Sequence, residues 1–67
     1  MTAEESLSLR LPAPVRIKDT AAARARYGVH AGQAVEAYAR PAGGGLTVEC
    51  EDEHTFDVQL QHLDVIR

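Results

Sequence analysis

The sequence predicts a mainly β domain, a small five-stranded barrel with one short helix between strands 1 and 2. Apolar and polar residues alternate in several short segments, with the period of two that is typical of half-buried strands. Turn-forming residues separate these segments, most densely in the PAGGG run at 41–45. One stretch, residues 19–33, combines a helix start, helix-favouring residues and a glycine stop, and it follows the first barrel strand.

The length and composition predict a single domain with a thin core. The chain has 67 residues. Valine, isoleucine, leucine and phenylalanine make up 15 of the 67, about 22%, just above the level of roughly 20% below which disorder is typical. A thin core favours self-association, because an oligomer buries apolar surface that a monomer exposes. We therefore expect a homo-oligomer, most simply a symmetric dimer.

Cysteine usage and the first residues indicate the compartment. Cys50 is the only cysteine, so no intrachain disulfide forms, and a small domain without disulfides is typical of a reducing compartment. The N-terminal stretch includes acids and has no long apolar run, so we expect neither a signal peptide nor a transmembrane helix. These features predict a cytoplasmic protein with no membrane contact.

Charge is distributed unevenly along the chain, whose net charge is −3. Residues 1–44 hold six cations and four acids, whereas residues 45–67 hold six acids and one cation. Nucleic-acid binding requires a dominant basic surface, so this balance makes nucleic acid an unlikely partner. The polarity between the two parts is suited to orienting one subunit against another.

Residues 1–13 are predicted to form a flexible or strand-like arm, and residues 14–67 the barrel. The polar residues 1–6 are expected to fray, whereas Leu7, Leu9 and Leu11 alternate with polar residues as in a strand. Pro12 and Pro14 then exclude a central strand position. Two arrangements are open: the arm folds over its own barrel, or it pairs with a neighbouring subunit.

Within the barrel, the alternation assigns the inward-facing residues of each strand. The predicted strands and their inward residues are 15–18 (Val15, Ile17), 33–40 (Val35, Ala37, Ala39), 46–51 (Leu46, Val48, Cys50) and 55–60 (Phe56, Val58, Leu60). An acidic turn at 52–54 joins the third and fourth strands. A single 3₁₀ turn at 61–63 precedes a last strand at 64–67, which closes the barrel.

The helix signals lie between the first and second strands. Asp19 or Thr20 is a suitable N-cap, because its side-chain oxygen accepts from the first free backbone N–H groups. Alanine and arginine, which have high helix propensity, fill the following turns. Gly28 is expected to end the helix with Val29 following, as in a Schellman motif. Tyr27 and Val29 are expected to hold the helix against the sheet.

This order of elements resembles an SH3-like barrel over residues 14–67. Within that class, four segments are similar to plasmid-borne type II dihydrofolate reductases: VRIK at 15–18, GQAVEAY at 32–38, VECE at 48–51 and VQLQ at 58–61. That resemblance implies a tetramer of barrels around one pore, with Val58, Gln59 and Leu60 in the pore segment. Ile17 and Gln61 stand where the family has a pore lysine and a tyrosine.

A second stretch, RARYGVHAGQAVEA at 24–37, resembles the helix, glycine turn and strand of AbrB-type swapped-hairpin DNA-binding proteins. Thr20 and Ala21 stand where that family has a proline–lysine pair. The resemblance implies a DNA contact through a basic face formed by Arg16, Lys18, Arg24 and Arg26. The alternative is that these four side chains are solvated exteriors of the helix and the first strand, and that the acidic later strands repel phosphate.

The residues that could bind metal or catalyse a reaction do not form a familiar pattern. Cys50, His54 and His62 are the candidate soft ligands, but their spacing matches no familiar zinc site. Cys50 is in phase with the core, as a small buried hydrophobe would be, and His30 is expected to be exposed in a turn. A Cys50–His54 pair would lack an oxyanion hole. We therefore expect no metal site, no cofactor and no catalytic residues.

The remaining candidate surface surrounds Tyr38, which is out of phase with the inward residues of its strand. An exposed tyrosine beside cations is typical of a protein-contact hot spot. The predicted binding surface comprises Tyr38, Arg40, Arg16 and Lys18, together with Arg24 and Arg26. The sequence therefore predicts a small non-enzymatic protein-binding or accessory module with an unidentified protein partner. The alternatives are an AbrB-like DNA-binding regulator and an oligomeric type II dihydrofolate reductase-like enzyme.

Overall fold

The computed structural model describes residues 1–66. The α-helices are α1 (Ala3–Ser8) and α2 (Ala21–Tyr27), and the strands are β1 (Ala13–Ile17), β2 (Ala34–Ala39), β3 (Leu46–Glu49), β4 (Thr55–Val58) and β5 (Leu63–Val65). Two single-turn 3₁₀ helices lie at Gly28–His30 and Leu60–His62. The prediction of a mainly β protein with five strands is confirmed.

The five strands form one antiparallel sheet in the order β4-β3-β2-β1-β5. The first four strands are neighbours along the chain, and β5 returns to pair with β1 through Val15 and Val65. The sheet curls into a half-barrel whose two edges, within residues 1–66, are β4 and β5. The predicted closure of the barrel by the last strand is therefore wrong, because β5 pairs with β1 and not with β4. The predicted last strand at 64–67 is instead Leu63–Val65, and Arg67 lies outside the described residues.

The core lies on the concave face of this sheet. Because side chains alternate across a strand, each strand contributes its in-phase apolar residues to that face. The buried core residues are Val15, Ile17, Ala23, Val35, Ala37, Leu46, Val48, Cys50, Val58 and Leu63. The predicted inward positions are therefore buried on β1, β3 and most of β2, whereas Phe56 and Leu60 are only half-buried.

The N-terminal arm contains a helix, so the predicted strand at 7–11 is wrong. Thr2 and Glu5 form a capping box in which Oγ1 of Thr2 accepts from the Glu5 N–H and Oε1 of Glu5 accepts from the Thr2 N–H. These bonds satisfy two otherwise free donors and begin α1. Leu7 lies within α1 and is 75% exposed, so its alternation with Leu9 does not reflect strand burial.

The arm is attached to its own sheet. One Arg40 guanidinium nitrogen donates to the carbonyl oxygens of Ser6 at 2.6 Å and Leu9 at 2.7 Å. The Met1 ammonium donates to the carbonyl oxygen of Leu63 at 2.6 Å. Leu9 and Leu11 pack against the core. Of the two arrangements that the sequence allows, the described chain adopts the one in which the arm folds over its own domain.

The α2 helix begins at Thr20, whose Oγ1 accepts from the Ala23 N–H at 3.1 Å. It ends at Gly28, which has φ 58° and ψ −127°, and a 3₁₀ turn follows. Val29 is 83% exposed, so the prediction that it holds the helix against the sheet is wrong. Tyr27 does hold the helix, since its hydroxyl accepts from the Gln59 N–H at 3.3 Å and its ring packs on Phe56. Ala23 of α2 is also fully buried in the core.

Candidate functional site

The predicted surface around Tyr38 is only partly formed. Tyr38 lies on the outer face of β2 and is 44% exposed, as its phase predicts. Arg40 does not stand free beside it, because its guanidinium holds the N-terminal arm. An arginine that binds two backbone carbonyls contributes to the fold and has fewer donors left for a partner.

Three of the other predicted cations also have intramolecular partners. Arg16 donates to the Gly32 carbonyl oxygen at 2.8 Å, Lys18 lies 3.8 Å from a carboxylate oxygen of Asp64, and Arg24 donates to Asp19 at 2.6 Å. The hydrogen bond and the charge of Arg24 lower the pKa of Asp19. Arg26 has no hydrogen bond or ion pair within residues 1–66, so it is the predicted cation that the fold leaves free.

The segment that resembles the reductase pore is divided between core and surface. Val58 is fully buried in the core of its own chain, Gln59 is exposed, and Leu60 is half-buried in the second 3₁₀ helix. The three residues therefore do not present one shared surface in this chain.

A cluster of rings, which the sequence does not predict, connects α2 to β4. It consists of Tyr27, His30, His54, Phe56 and His62. The rings of His30 and Phe56 have centroids 5.0 Å apart, those of His54 and Phe56 5.9 Å, and those of Tyr27 and His62 5.5 Å with an edge-to-face arrangement. Such contacts stabilise aromatic pairs beyond the burial of their area. This ring cluster joins the long β1–β2 connection to the edge of the sheet.

His30 is half-buried, so the prediction that it is simply exposed is wrong. Its Nδ1 lies 3.0 Å from Oε1 of Gln33 and 3.4 Å from Sγ of Cys50. The Cys50 side chain is buried, as predicted, and burial followed by the nearby charge of Asp52 raises the pKa of the thiol. Cys50 is therefore a neutral thiol at physiological pH, which is the less nucleophilic form.

Metal ligands do not converge in the described part of the chain. Residues 1–66 contain no group of three or more His, Cys, Asp or Glu side chains arranged to hold an ion. The sequence candidates Cys50, His54 and His62 are separated, since His62 packs edge-on against Tyr27 whereas His54 stacks near His30.

The outer edge of β4 has unpaired backbone groups. Cys50 N–H donates to the His54 carbonyl oxygen, and the register then pairs Val48 with Phe56 and Leu46 with Val58. In an antiparallel ladder, the intervening residues point their N–H and C=O groups away from the neighbouring strand. Those residues are Thr55 and Asp57, and no partner within residues 1–66 accepts from their amides. The amide of Gln59, next in phase, donates to the Tyr27 hydroxyl.

A groove runs between this edge and the α2 segment, and we call it the β4 groove. It has a volume of about 370 Å³ and is lined by Arg26, Tyr27, His30, His54, Phe56 and Asp57. At His30 it adjoins a second depression of about 460 Å³ that includes Val29, Cys50, Glu51 and Asp52. The floor consists of half-buried rings, and the rim consists of exposed polar side chains.

The charges along this surface are mostly negative, and its carboxylates form no ion pair within residues 1–66. Asp57 and Arg26 line the β4 groove, whereas Glu51 and Asp52 line the second depression. The ion pairs within residues 1–66 are Lys18–Asp64 and Arg24–Asp19, neither of which involves these carboxylates. Asp57 accepts from the Thr47 hydroxyl at 2.6 Å, which orients the carboxylate without neutralising it.

Comparison with known proteins does not assign this chain to a family. No protein-family model, no curated protein and no solved structure matches the chain. Within residues 1–66, neither α-helix has the length and apolar composition that crossing a bilayer requires. The class of the protein therefore rests on its fold, a curled antiparallel half-barrel with a ring-lined groove at one edge.

Proposed function

We propose that this chain is a small non-enzymatic protein-binding module of SH3-like fold. The strand order supports the fold assignment, since four strands form a meander and the fifth returns beside the first after a 3₁₀ turn. In this arrangement the long β1–β2 connection, which contains α2, packs over the sheet through Tyr27. Because folds of this class host many functions, the functional proposal rests on the site rather than on the fold.

The observation that supports protein binding best is the β4 groove beside an unpaired strand edge. An exposed edge presents free N–H and C=O groups that pair readily with another extended segment. Half-buried aromatic rings next to that edge offer an apolar contact of the kind that dominates protein interfaces. Tyr27, Phe56 and the edge residue Thr55 together provide both components in one place.

Site-specific photo-crosslinking tests this function. Arg26 is replaced by p-benzoylphenylalanine in the full chain, and the cells that express it are irradiated. We expect discrete protein adducts from this position, because Arg26 lines the groove and has no partner within residues 1–66. The same replacement at Tyr38, on the outer face of β2, serves as the matched control.

The outcomes of the crosslinking are distinct. Adducts from the Arg26 position that are absent at Tyr38 support binding through the groove. Adducts from Tyr38 alone would place the contact on the outer face of the sheet, around one of the residues that the sequence predicts for binding. If neither position yields a protein adduct, the binding-module proposal is wrong.

Enzymatic turnover provides a second test of the same proposal. The full chain is assayed with NADPH and dihydrofolate, the substrates implied by the reductase resemblance. We expect no turnover above the uncatalysed rate, because Val58 is buried and Gln59 faces solvent. Robust turnover that is lost on unfolding would contradict the non-enzymatic assignment.

A further inference from the structure

We propose that the β4 groove binds an extended, lysine- or arginine-rich segment of a partner protein, which pairs as an added strand with the open edge of β4. This inference rests on the proposed binding function and names the chemical class of the ligand. Three features of the groove support it: the unpaired backbone of the edge, the sign of the surrounding charge and the rings on its floor.

The backbone of β4 defines where such a strand would pair. Thr55 and Asp57 both direct their N–H and C=O groups away from β3, so four backbone hydrogen-bonding groups lie along the open edge of β4. Pairing stops at Gln59, whose amide is already bound to the Tyr27 hydroxyl. A short extended segment is therefore accommodated, whereas a long strand would displace the Tyr27 contact that holds α2.

The charge of the surrounding surface selects a cationic segment. Asp57 lies on the edge itself, and Glu51, Asp52 and Glu53 lie in the β3–β4 turn that precedes this strand. Arg26 is the cation that lines the groove beside them. An acidic segment would add like charges to a surface on which carboxylates already outnumber cations. Lysine or arginine side chains on the outward phase of an added strand would instead lie near the carboxylate of Asp57, and cross-strand pairs of opposite charge are stabilising.

The same charges argue against two other occupants. A second copy of this chain, pairing β4 with β4, would bring the two acidic edges with their Asp57 carboxylates together, and like charges across neighbouring strands are destabilising. A nucleic-acid backbone would be repelled by the carboxylates of the turn. A basic polypeptide is the occupant that relieves this charge.

The floor of the groove favours an apolar side chain between the cationic ones. In an added strand, alternate side chains point toward opposite faces of the sheet. Phe56 is half-buried on the inner phase of β4, where its ring contacts those of Tyr27 and His30. The inward side chain of the segment would therefore meet aromatic surface, and the expected ligand pattern alternates basic and apolar residues.

Synthetic peptides test this inference on the full chain. The probe is an eight-residue peptide with blocked ends in which lysine and valine alternate, added to ¹⁵N-labelled protein and followed by NMR. We expect shifts and slowed hydrogen exchange at the amides of Thr55 and Asp57. A peptide with glutamate in place of lysine should leave both amides unchanged. A lysine peptide in which every backbone nitrogen is methylated should also leave them unchanged, because both of its edges are blocked.

Charge-removing variants provide the matched controls. Glu51→Gln and Asp52→Asn each remove a carboxylate beside the groove. Each should raise the Kd of the lysine peptide about threefold, which corresponds to the loss of one exposed ion pair. Asp64→Asn removes a carboxylate from β5, at the other edge of the sheet, and should leave the Kd unchanged. Added NaCl should weaken binding by the wild-type chain, because exposed ion pairs are screened.

Two results would overturn the inference: equal binding of the lysine and glutamate peptides, or shifts at β5 instead of β4. These results are distinguishable from failure of the binding function. If photo-crosslinking from Arg26 captures a partner whose bound segment is not basic, the function stands and this ligand class is wrong. If the lysine peptide binds but crosslinking finds no protein, the binding function in cells is wrong and the chemical preference of the groove remains.

Discussion

The sulfur of Cys50, just beyond the end of β3, lies 3.4 Å from Nδ1 of His30 in the first 3₁₀ helix. This contact joins the sheet to the long β1–β2 connection. Cys50 is buried, and His30 also contacts Phe56 and Gln33. A neutral thiol suits this position, since a thiolate would lose its hydration and face the charge of Asp52.

The burial of Cys50 predicts a loss of stability at alkaline pH. Its folded-state pKa is raised above the unfolded value of about 8.5, so the neutral thiol contributes stability that is fully present below the unfolded pKa. That contribution is lost as pH rises through the folded pKa. The free energy of unfolding in urea is measured at neutral pH and at a pH above the thiol pKa of the unfolded chain. Between these two pH values it should fall further for wild type than for Cys50→Ala. Equal falls would mean that the thiol titrates as it does in the unfolded chain.

Arg40 is predicted to hold the N-terminal arm in place. Arg40→Ala removes two charge-assisted hydrogen bonds to the carbonyl oxygens of Ser6 and Leu9, and we expect a loss of about 1–3 kcal/mol in the free energy of unfolding. Limited proteolysis should then cut near Arg10 more rapidly. The matched control is Arg26→Ala, which removes an arginine without an intramolecular partner in the described chain and should change stability by less than about 0.5 kcal/mol. Unchanged proteolysis in Arg40→Ala would contradict the anchoring role.

Gly45 is predicted to be irreplaceable in the β2–β3 connection. Its φ is 79°, and an added Cβ would overlap the carbonyl oxygen of Val58. Gly45→Ala should lower the free energy of unfolding by at least about 2 kcal/mol, through left-handed strain and steric overlap. Gly43→Ala is the matched control, because a Cβ there meets no atom within 4 Å and should change stability by less than about 0.5 kcal/mol. Similar denaturation midpoints for the two variants would refute the steric explanation.

Self-association stays a prediction, but its expected interface changes. Leu9 and Leu11 pack on the core of their own chain, which leaves Leu7, 75% exposed on α1, as the apolar residue of the arm that a second copy could cover. We expect a homodimer in sedimentation velocity and a monomer for Leu7→Glu, because a buried carboxylate without a partner is costly. Val29→Glu, at a residue that is 83% exposed, is the matched control and should stay dimeric. A monomeric wild-type chain would refute the dimer.

Much of the strand pattern was predictable because burial on a sheet alternates with a period of two. The phase of Val15, Ile17, Val35, Leu46 and Val48 is readable from their neighbours alone. The α1 helix was not predicted, because three leucines at alternating positions suggest a strand more strongly than one capping box suggests a helix. The Thr2–Glu5 spacing is nevertheless a signal that could have identified the helix start.

Most of the candidate site could not be predicted from the sequence. Tyr27, His30 and Phe56 are far apart or irregularly spaced in the chain, and no local pattern indicates that their rings meet. The predicted site residues were selected for charge and exposure. Most of those cations are bound by carbonyls or carboxylates that only the folded chain brings near, as Arg40 is by Ser6 and Leu9.

The sequence by itself determined the mainly β class and the inward phase of most strands, and it narrowed the N-cap of α2 to Asp19 or Thr20, because each depends on neighbours within a few residues. Only the tertiary structure decided which strand edge stays open, where the rings of Tyr27 and Phe56 meet, and that the arm folds onto its own sheet. These features depend on contacts between residues distant in the chain. Such contacts exist only once the backbone hydrogen bonds and the core have brought the elements together.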